Sequence, residues 1–340
     1  MKYSGAFSFG LIPHGIASCG LIPRGYTKAM FGKKSSDKTV LILDIENGSV
    51  GSSLVRLSPG QAPALFGEHR IAVPIMDTRS AHSLARAVEH AASESLLHAS
   101  EVSARLRHHA GALEPISRVV MFMAAPWGTP NLQAGRPDFA PAFEELQPRI
   151  RSLFGDVPTA LHAHASAAVH GLRTAYPHEE RALLVSVNGE VSEILMLEDA
   201  RVVGHATVPA GAGTVLRTLK SHTGMSEHEA RSSMRLNTQS EASEAAAAHF
   251  AVEVKQAARE LFQGTGQGSV FVLAHEPSAE WFARSLAHKS LAELYPQGGT
   301  VRAMRPSHIA PFVAHNGSLD THLLLNALYA GASLAHHSGN

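Results

Sequence analysis

Cysteine is nearly absent: Cys19 is the only one among 340 residues. A disulfide within the chain is therefore impossible, which suits a reducing cytoplasm. No apolar run approaches the roughly 20 residues that a transmembrane helix needs. Residues 1–22 do not read as a signal peptide. Gly5, Gly10, Pro13, Gly15 and Gly20 interrupt any hydrophobic stretch, and Lys2 is the only early charge. Net charge is missing too, because 29 basic and 29 acidic residues cancel. With no Lys/Arg stripe interleaved with aromatics, nothing electrostatic argues for nucleic acid as a partner. The nucleophile elbow Gly-x-Ser-x-Gly, the Walker-type phosphate loop and the HExxH zinc motif are all lacking. No catalytic residues are assigned.

What is present begins with length. At 340 residues with 44% apolar side chains, two domains are expected. Residues 1–36 are rich in Gly, Ser and aromatics and carry a short echo, Gly10-Leu11-Ile12-Pro13 and Gly20-Leu21-Ile22-Pro23. This stretch reads as a flexible leader or as a docking segment that orders on a partner or membrane surface, with Phe7, Phe9, Tyr26 and Phe31 as anchors. The 22 histidines scatter, with His162-x-His164, His108-His109 and His336-His337 as the close groups. They read as solvated or hydrogen-bonded side chains rather than as a ligand set. His162, His164 and His170 are expected on one helix, exposed.

From Thr39 the pattern sharpens into alternating elements. Thr39–Ile45, Ser53–Leu57 and His69–Met76 read as strands, 79–110 as a helix and Arg118–Ala124 as a strand. Phe139–Phe154 and Leu161–Tyr176 read as helices. The second half repeats the order. Arg181–Val187, Ser192–Leu197 and Arg201–Val208 read as strands, then Gly213–His222, Ser226–Arg235 and Ala242–Phe262 as helices. Ser269–Ala274 is a strand, Ala279–Leu294 a helix, Val301–Met304 a short strand and Leu319–Ala335 a final, core-buried helix. The expected division is 37–175 for a first lobe with a small inserted subdomain and 176–340 for a second lobe.

Two turns stand at matching places in this repeat. Asn47-Gly48-Ser49-Val50 follows the strand ending Leu43-Asp44-Ile45, and Asn188-Gly189-Glu190-Val191 follows Val185-Ser186-Val187. Asn-Gly is a strong hairpin signal because both residues tolerate positive φ. Alone each is a turn. As a pair, each opening a similar strand series, they carry more weight.

At these residues the chain resembles the actin-like ATPases, the superfamily of actin, sugar kinases, heat-shock chaperone ATPases, FtsA and the pilus assembly protein PilM. Supporting segments are Val208-Pro209-Ala210-Gly211-Ala212-Gly213, Thr223-Gly224-Met225-Ser226 and Ala124-Ala125-Pro126-Trp127, which are similar to stretches of FtsA and PilM-like proteins. The resemblance spans Thr39 to Ala335. It implies an α/β fold of two duplicated, ribonuclease H-like lobes, with mixed sheets flanked by helices and a cleft between them. It implies ATP and Mg²⁺ as cofactors. Asp44, Asn47, Gly48, Ser49, Asn188, Gly189, Glu193, Gly211 and Gly213 would then be the nucleotide-binding residues, with Asp44 serving the metal.

The chain departs from that family's pattern at each nucleotide motif. Glu46 stands where the first loop usually has Gly. A carboxylate about 4 Å from a phosphate costs on the order of 4 kcal/mol at an effective dielectric of about 20, roughly a thousandfold in affinity. Ser186 replaces an Asp that holds the magnesium water shell, and serine offers no charge to a hard cation. Asn188 replaces a Gly and Val191 a hydroxyl residue. The third motif falls at Leu273-Ala274-His275-Glu276-Pro277 and has no glycine. The resemblance therefore implies a cytoplasmic scaffold of a type IV pilus-like or secretion assembly, peripheral at the inner membrane, with a degenerate ATPase site. Its partner would be an inner-membrane assembly protein whose short peptide lies in the inter-domain groove. A homo-oligomer or filament is expected, with the membrane reached only through the partner or the N-terminal segment. The alternatives are an Mg-ATP-binding actin-like ATPase and an FtsA-like division or filament protein.

Overall fold

The computed structural model describes residues 37–75, 80–110, 113–132, 136–139, 146–199, 201–236, 240–261, 268–275, 278–289, 300–315 and 320–336. The leader or docking reading of residues 1–36 lies outside them.

The described chain opens with strands β1 (Lys38–Ile45), β2 (Ser49–Leu57) and β3 (Ala64–Ala72), followed by helix α1 (Ala81–Ala110) and β4 (Ile116–Met123). A small hairpin, β5 (Gly128–Asn131) and β6 (Arg136–Phe139), leads to α2 (Leu146–Phe154), β7 (Thr159–Ala163) and α3 (His164–Ala175). The second half repeats the scheme with β8 (Arg181–Val187), β9 (Ser192–Glu198), β10 (Arg201–Val208), α4 (Ala212–Thr223), α5 (Glu227–Leu236) and α6 (Glu241–Leu261). It continues through β11 (Ser269–Ala274), α7 (Ala279–Lys289), β12 (Val301–Ala303), a one-turn α8 (Pro306–Ile309), β13 (Ala314–His315) and α9 (Thr321–His336).

Two mixed sheets result, ordered β13-β3-β2-β1-β4-β7 and β10-β9-β8-β11-β12. In each, three antiparallel strands are extended by parallel ones. Strands β1 and β8 sit centrally and are covered on both faces, which is why they read as nearly continuous apolar runs. Three apolar cores hold five layers together, the middle one enclosing α3 and α9 between the two sheets. Helices α1 and α2 cover one face of the first sheet. Helices α3 and α9 fill the space between the sheets and bury residues from both. Helices α4, α6 and α7 cover the far face of the second sheet. Among the described residues, no helix is long and apolar enough to cross a membrane.

Local chemistry explains several boundaries. Ser226 and Glu229 form a reciprocal cap on α5: the Glu229 N–H donates to Ser226 Oγ at 3.3 Å, and the Ser226 N–H donates to Glu229 Oε2 at 2.8 Å. Helix α4 ends on Gly224 at φ 71°.

Four expectations need correction. Strand β2 starts at Ser49 rather than Ser53, so the first turn is tighter than it reads. The third strand is Ala64–Ala72, earlier than His69–Met76; the chain leaves the sheet at Val73, whose N–H donates to Gly48 O at 2.9 Å, and Pro74 has no N–H to extend a ladder. Phe139 belongs to strand β6, and the helix begins at Leu146. Thr159–Ala163 is a strand paired in parallel with β4, so the helix expected from Leu161 begins at His164. The C-terminal segment crosses back as well. Ala314–His315 pairs with β3, and α9 packs on β1 and β2, so residues 314–336 complete the first sheet.

Candidate functional site

The two Asn-Gly turns face each other across the sheets' shared end. Glu46 N donates to Ser49 O at 3.0 Å to close the first turn, and Asn188 N donates to Val191 O at 3.1 Å to close the second. Their register is equivalent: Asp44 pairs with Gly51 in β2, and Ser186 with Glu193 in β9. All nine residues read from the sequence as a site meet here.

They meet closely. A Cβ built on Gly48 would lie 2.5 Å from Gly189 Cα and 2.8 Å from Gly189 N. Only two glycines allow that approach. Asn47 staples the seam: its Nδ2 donates to Ala125 O at 2.7 Å, and its Oδ1 accepts a short hydrogen bond from the Glu190 N–H. Gly211 and Gly213 pack under the second turn, where a Cβ on either would lie within 3 Å of the Gly189 carbonyl oxygen.

Helix N-termini bind anions because their first N–H groups lack intrahelical partners. At α4 the first two of those groups are already taken. Ala212 N donates to Asn188 O at 2.8 Å and Gly213 N to Gly189 O at 2.5 Å. Glu190 places its own carboxylate beside this terminus, 3.2 Å from Arg217 Nη2. The cavity left between the turns, Val73, Leu216 and His275 measures about 70 Å³. Ligand pockets are typically about 300–1,000 Å³.

Below the turns lies a buried charged cluster. Glu46, the anomaly of the first loop, does not project toward a phosphate. It is fully buried, 2.8 Å from His275 Nε2 through Oε2 and 2.8 Å from His322 Nδ1 through Oε1. Arg70 ties the carboxylates together. Its Nη2 contacts Asp44 Oδ2 at 2.6 Å, its Nε contacts Asp320 Oδ2 at 2.5 Å, and its Nη1 donates to Ser49 Oγ at 2.9 Å. Burial pushes the Glu46 carboxyl up, but His275 and His322 together hold it well below the usual carboxylate range. Burial opposes ionisation of Asp320 too, and Arg70 overrides it, leaving that carboxyl far below its ordinary value. For Arg70 the three carboxylates outweigh burial and hold the guanidinium charged. Burial drives the His164 imidazole down, against the pull of Asp44, Glu46 and Glu193.

Glu193 closes the base of the second hairpin. Its Oε2 accepts from Ala125 N at 3.3 Å, and its Oε1 lies 3.4 Å from His205 Nε2. Ser186 is buried and its Oγ has no partner.

The histidine reading needs correction. His162 lies on β7, not on a helix, and His164 is fully buried at the start of α3, 3.1 Å from His322 Nδ1 through Nε2. Sequence reasoning missed Arg70, Asp320, His164 and His322 as site residues. One signal was available: Asp320 and His322 are polar positions opening an otherwise apolar helix. Asp320 caps it by accepting from Leu323 N at 3.1 Å.

No family model matches the chain, and no curated protein matches it in sequence. Solved structures do. A PilM–PilN type IV pilus biogenesis complex aligns with a TM-score of 0.54 at 14% identity, covering 88% of this chain and 98% of that one. The ethanolamine utilization protein EutJ from Carboxydothermus hydrogenoformans aligns at 0.49 with 14% identity, covering 86% and 89%. The activator of the 2-hydroxyisocaproyl-CoA dehydratase from Clostridium difficile with bound ADPNP aligns at 0.47 with 15% identity, covering 89% and 97%. The duplicated strand order and the first of these likenesses agree with the resemblance read from the two hairpins: the chain has the actin-like ATPase fold, α/β with two mixed sheets flanked by helices.

Proposed function

We propose that this chain is a scaffold on the actin-like fold, a pseudo-ATPase that binds a short peptide of a membrane-anchored assembly partner. The observation that carries the reading is the backbone contact between Gly48 and Gly189, stapled by Asn47, where the fold's nucleotide binders accommodate phosphates. Glu190 at the α4 terminus and Arg70 on Asp44 support it, since both use protein groups where a magnesium nucleotide would need free ones.

The partner half of the reading draws on the fold's likeness to a PilM–PilN complex. On this chain a cavity of about 420 Å³ lies beside the junction of the two halves, lined by Tyr176, Arg284, Arg302, Arg305 and His308. Its size suits a few side chains of a bound peptide, whose acidic groups would compete with Glu179 and Glu280 for Arg302 and Arg305. The setting would be a type IV pilus-like or secretion assembly, with the chain cytoplasmic and held at the inner membrane by its partner.

Two titrations test the two halves separately. Calorimetry with Mg-ATP should give no binding heat; micromolar affinity with phosphate release overturns the pseudo-ATPase reading. Cytoplasmic N-terminal peptides of inner-membrane assembly proteins should bind, and Arg284→Glu/Arg302→Glu should abolish that binding. Failure of every such peptide, together with a monomeric profile at high concentration, refutes the scaffold reading.

A further inference from the structure

We propose that Asp44, Glu46, His164 and His322 form a site for one divalent transition-metal ion, of the zinc or ferrous-iron class, held by protein side chains alone in the floor of the cleft. Each residue offers a donor atom, and the four atoms all lie within 4.8 Å of one another. All four residues are fully buried. Donors about 2.0–2.2 Å from one tetrahedral ion lie roughly 3.3–3.6 Å apart, so the outermost donors must draw in by about 1 Å to complete the shell. The ligands come from three separate elements: β1 and its turn supply the carboxylates, α3 and α9 the imidazoles.

Hydrogen bonding alone leaves this cluster unsettled. Asp44 Oδ2 is bound by Arg70, but its Oδ1, fully buried, has no partner. His322 Nδ1 lies 2.8 Å from Glu46 Oε1 and 3.1 Å from His164 Nε2. One ring nitrogen carries at most one proton, so His322 Nδ1 has a single hydrogen to offer both Glu46 Oε1 and His164 Nε2. A cation at that point would instead accept a lone pair from each.

Charge points the same way. Asp44, Glu46 and Asp320 face one guanidinium, that of Arg70, which leaves two negative charges to be balanced by His275 and His322 beside Glu46 or by a bound cation. One divalent ion neutralises them. Two imidazoles disfavour magnesium and calcium, because those ions take oxygen ligands, and favour zinc or ferrous iron. His275 stacks on His322 with ring centroids 4.1 Å apart and is partly exposed, which marks the route by which an ion would enter.

The test uses the full chain without a polyhistidine tag, stripped with a chelator. Calorimetric titration with Zn²⁺ should show one equivalent per chain, bound at least a hundredfold more tightly than Mg²⁺. The Co²⁺-loaded chain should show absorption bands of nitrogen and oxygen ligation. Glu46→Gln and His322→Gln should each weaken Zn²⁺ at least tenfold, since even groups that merely support a ligand cost that much. Because these side chains are buried, circular dichroism must first show that the variants fold. If they do not, X-ray absorption of the zinc-loaded wild-type chain decides, with two imidazoles and carboxylate oxygens expected. Three results overturn the proposal: no stoichiometric zinc on the folded wild-type chain, unchanged affinity in the folded variants, or a zinc shell without two imidazoles. The first would mean that protons on His275 and His322 balance the carboxylates. The others would place the metal elsewhere on this histidine-rich chain.

Discussion

Substituting Gly48 by Ala reports directly on whether the two hairpins touch in solution. The new methyl would start 2.5 Å from Gly189 Cα. Carbon atoms in contact settle at about 3.5–4.0 Å, so the hairpins must part by roughly 1 Å. Parting them stretches both Asn47 bonds across the seam, to Ala125 O and to the Glu190 N–H. Overpacking of this kind costs about 1–3 kcal/mol. Gly48 does not have a positive φ, so alanine is otherwise compatible with its backbone. At such a site Gly→Ala stabilises by about 0.4–1 kcal/mol, by restricting the unfolded chain. The sign of the change therefore discriminates. With the hairpins in contact, Gly48→Ala should lower stability by about 1–2 kcal/mol net, read as a lower urea midpoint at unchanged slope. A variant as stable as the wild type, or more so, would refute the contact. It would also reopen the cleft to phosphates and remove the main support for the pseudo-ATPase reading.

Three further outcomes follow from the packing. Arg70→Met leaves Asp44, Glu46 and Asp320 buried without their guanidinium and should cost on the order of 3–5 kcal/mol by urea unfolding; adding Asp320→Asn should recover part of that loss. Gly171→Ala puts a methyl against Leu325 Cδ2 where α3 crosses α9, and should destabilise by about 1–3 kcal/mol despite its better helix propensity, with Leu325→Ala reducing the penalty in the double variant. His170 has its imidazole pushed down by burial, helped by Arg173, so the neutral ring is preferred in the folded chain. Its contribution is complete above the unfolded value of about 6.5 and is lost as pH falls below it, so stability at about pH 5.5 should fall short of that at about pH 7.5, and His170→Gln should flatten that slope.

Much of the frame was legible because burial on both faces writes itself into composition. Strands β1, β8 and β11, 6 to 8 residues long, are mostly apolar, and Asn-Gly marks both turns. Strand β7 was hidden because Thr159-Ala160-Leu161-His162-Ala163 merges with the Ala-rich start of α3, and five residues set no clear period. Seven of the nine residues expected at the nucleotide site lie in the two hairpins, whose equivalent register brings them together, and Gly211 and Gly213 join them from the junction of β10 and α4. The direction of Glu46 was not legible. A turn residue in sequence gives no sign that Arg70, 24 positions on, and His322, on the last helix, hold it inward. His164 and His322 are 158 positions apart, so their contact belongs to the packing of α3 on α9 rather than to any local motif.

The return of residues 314–336 to the first sheet has a consequence for how the chain is made. Strand β3 gains its outer partner only when Ala314 and His315 exist, and the inner face of β1 and β2 is covered only once α9 does. At about 5–20 residues per second, the ribosome needs roughly 10–50 s to travel from β3 to β13. During that time an unpaired strand edge and an apolar sheet face stand open to solvent, to chaperones and to other nascent copies. Maturation of the early half is thus timed by the synthesis of the late one, and a stalled or prematurely terminated product would expose the surface most prone to aggregate.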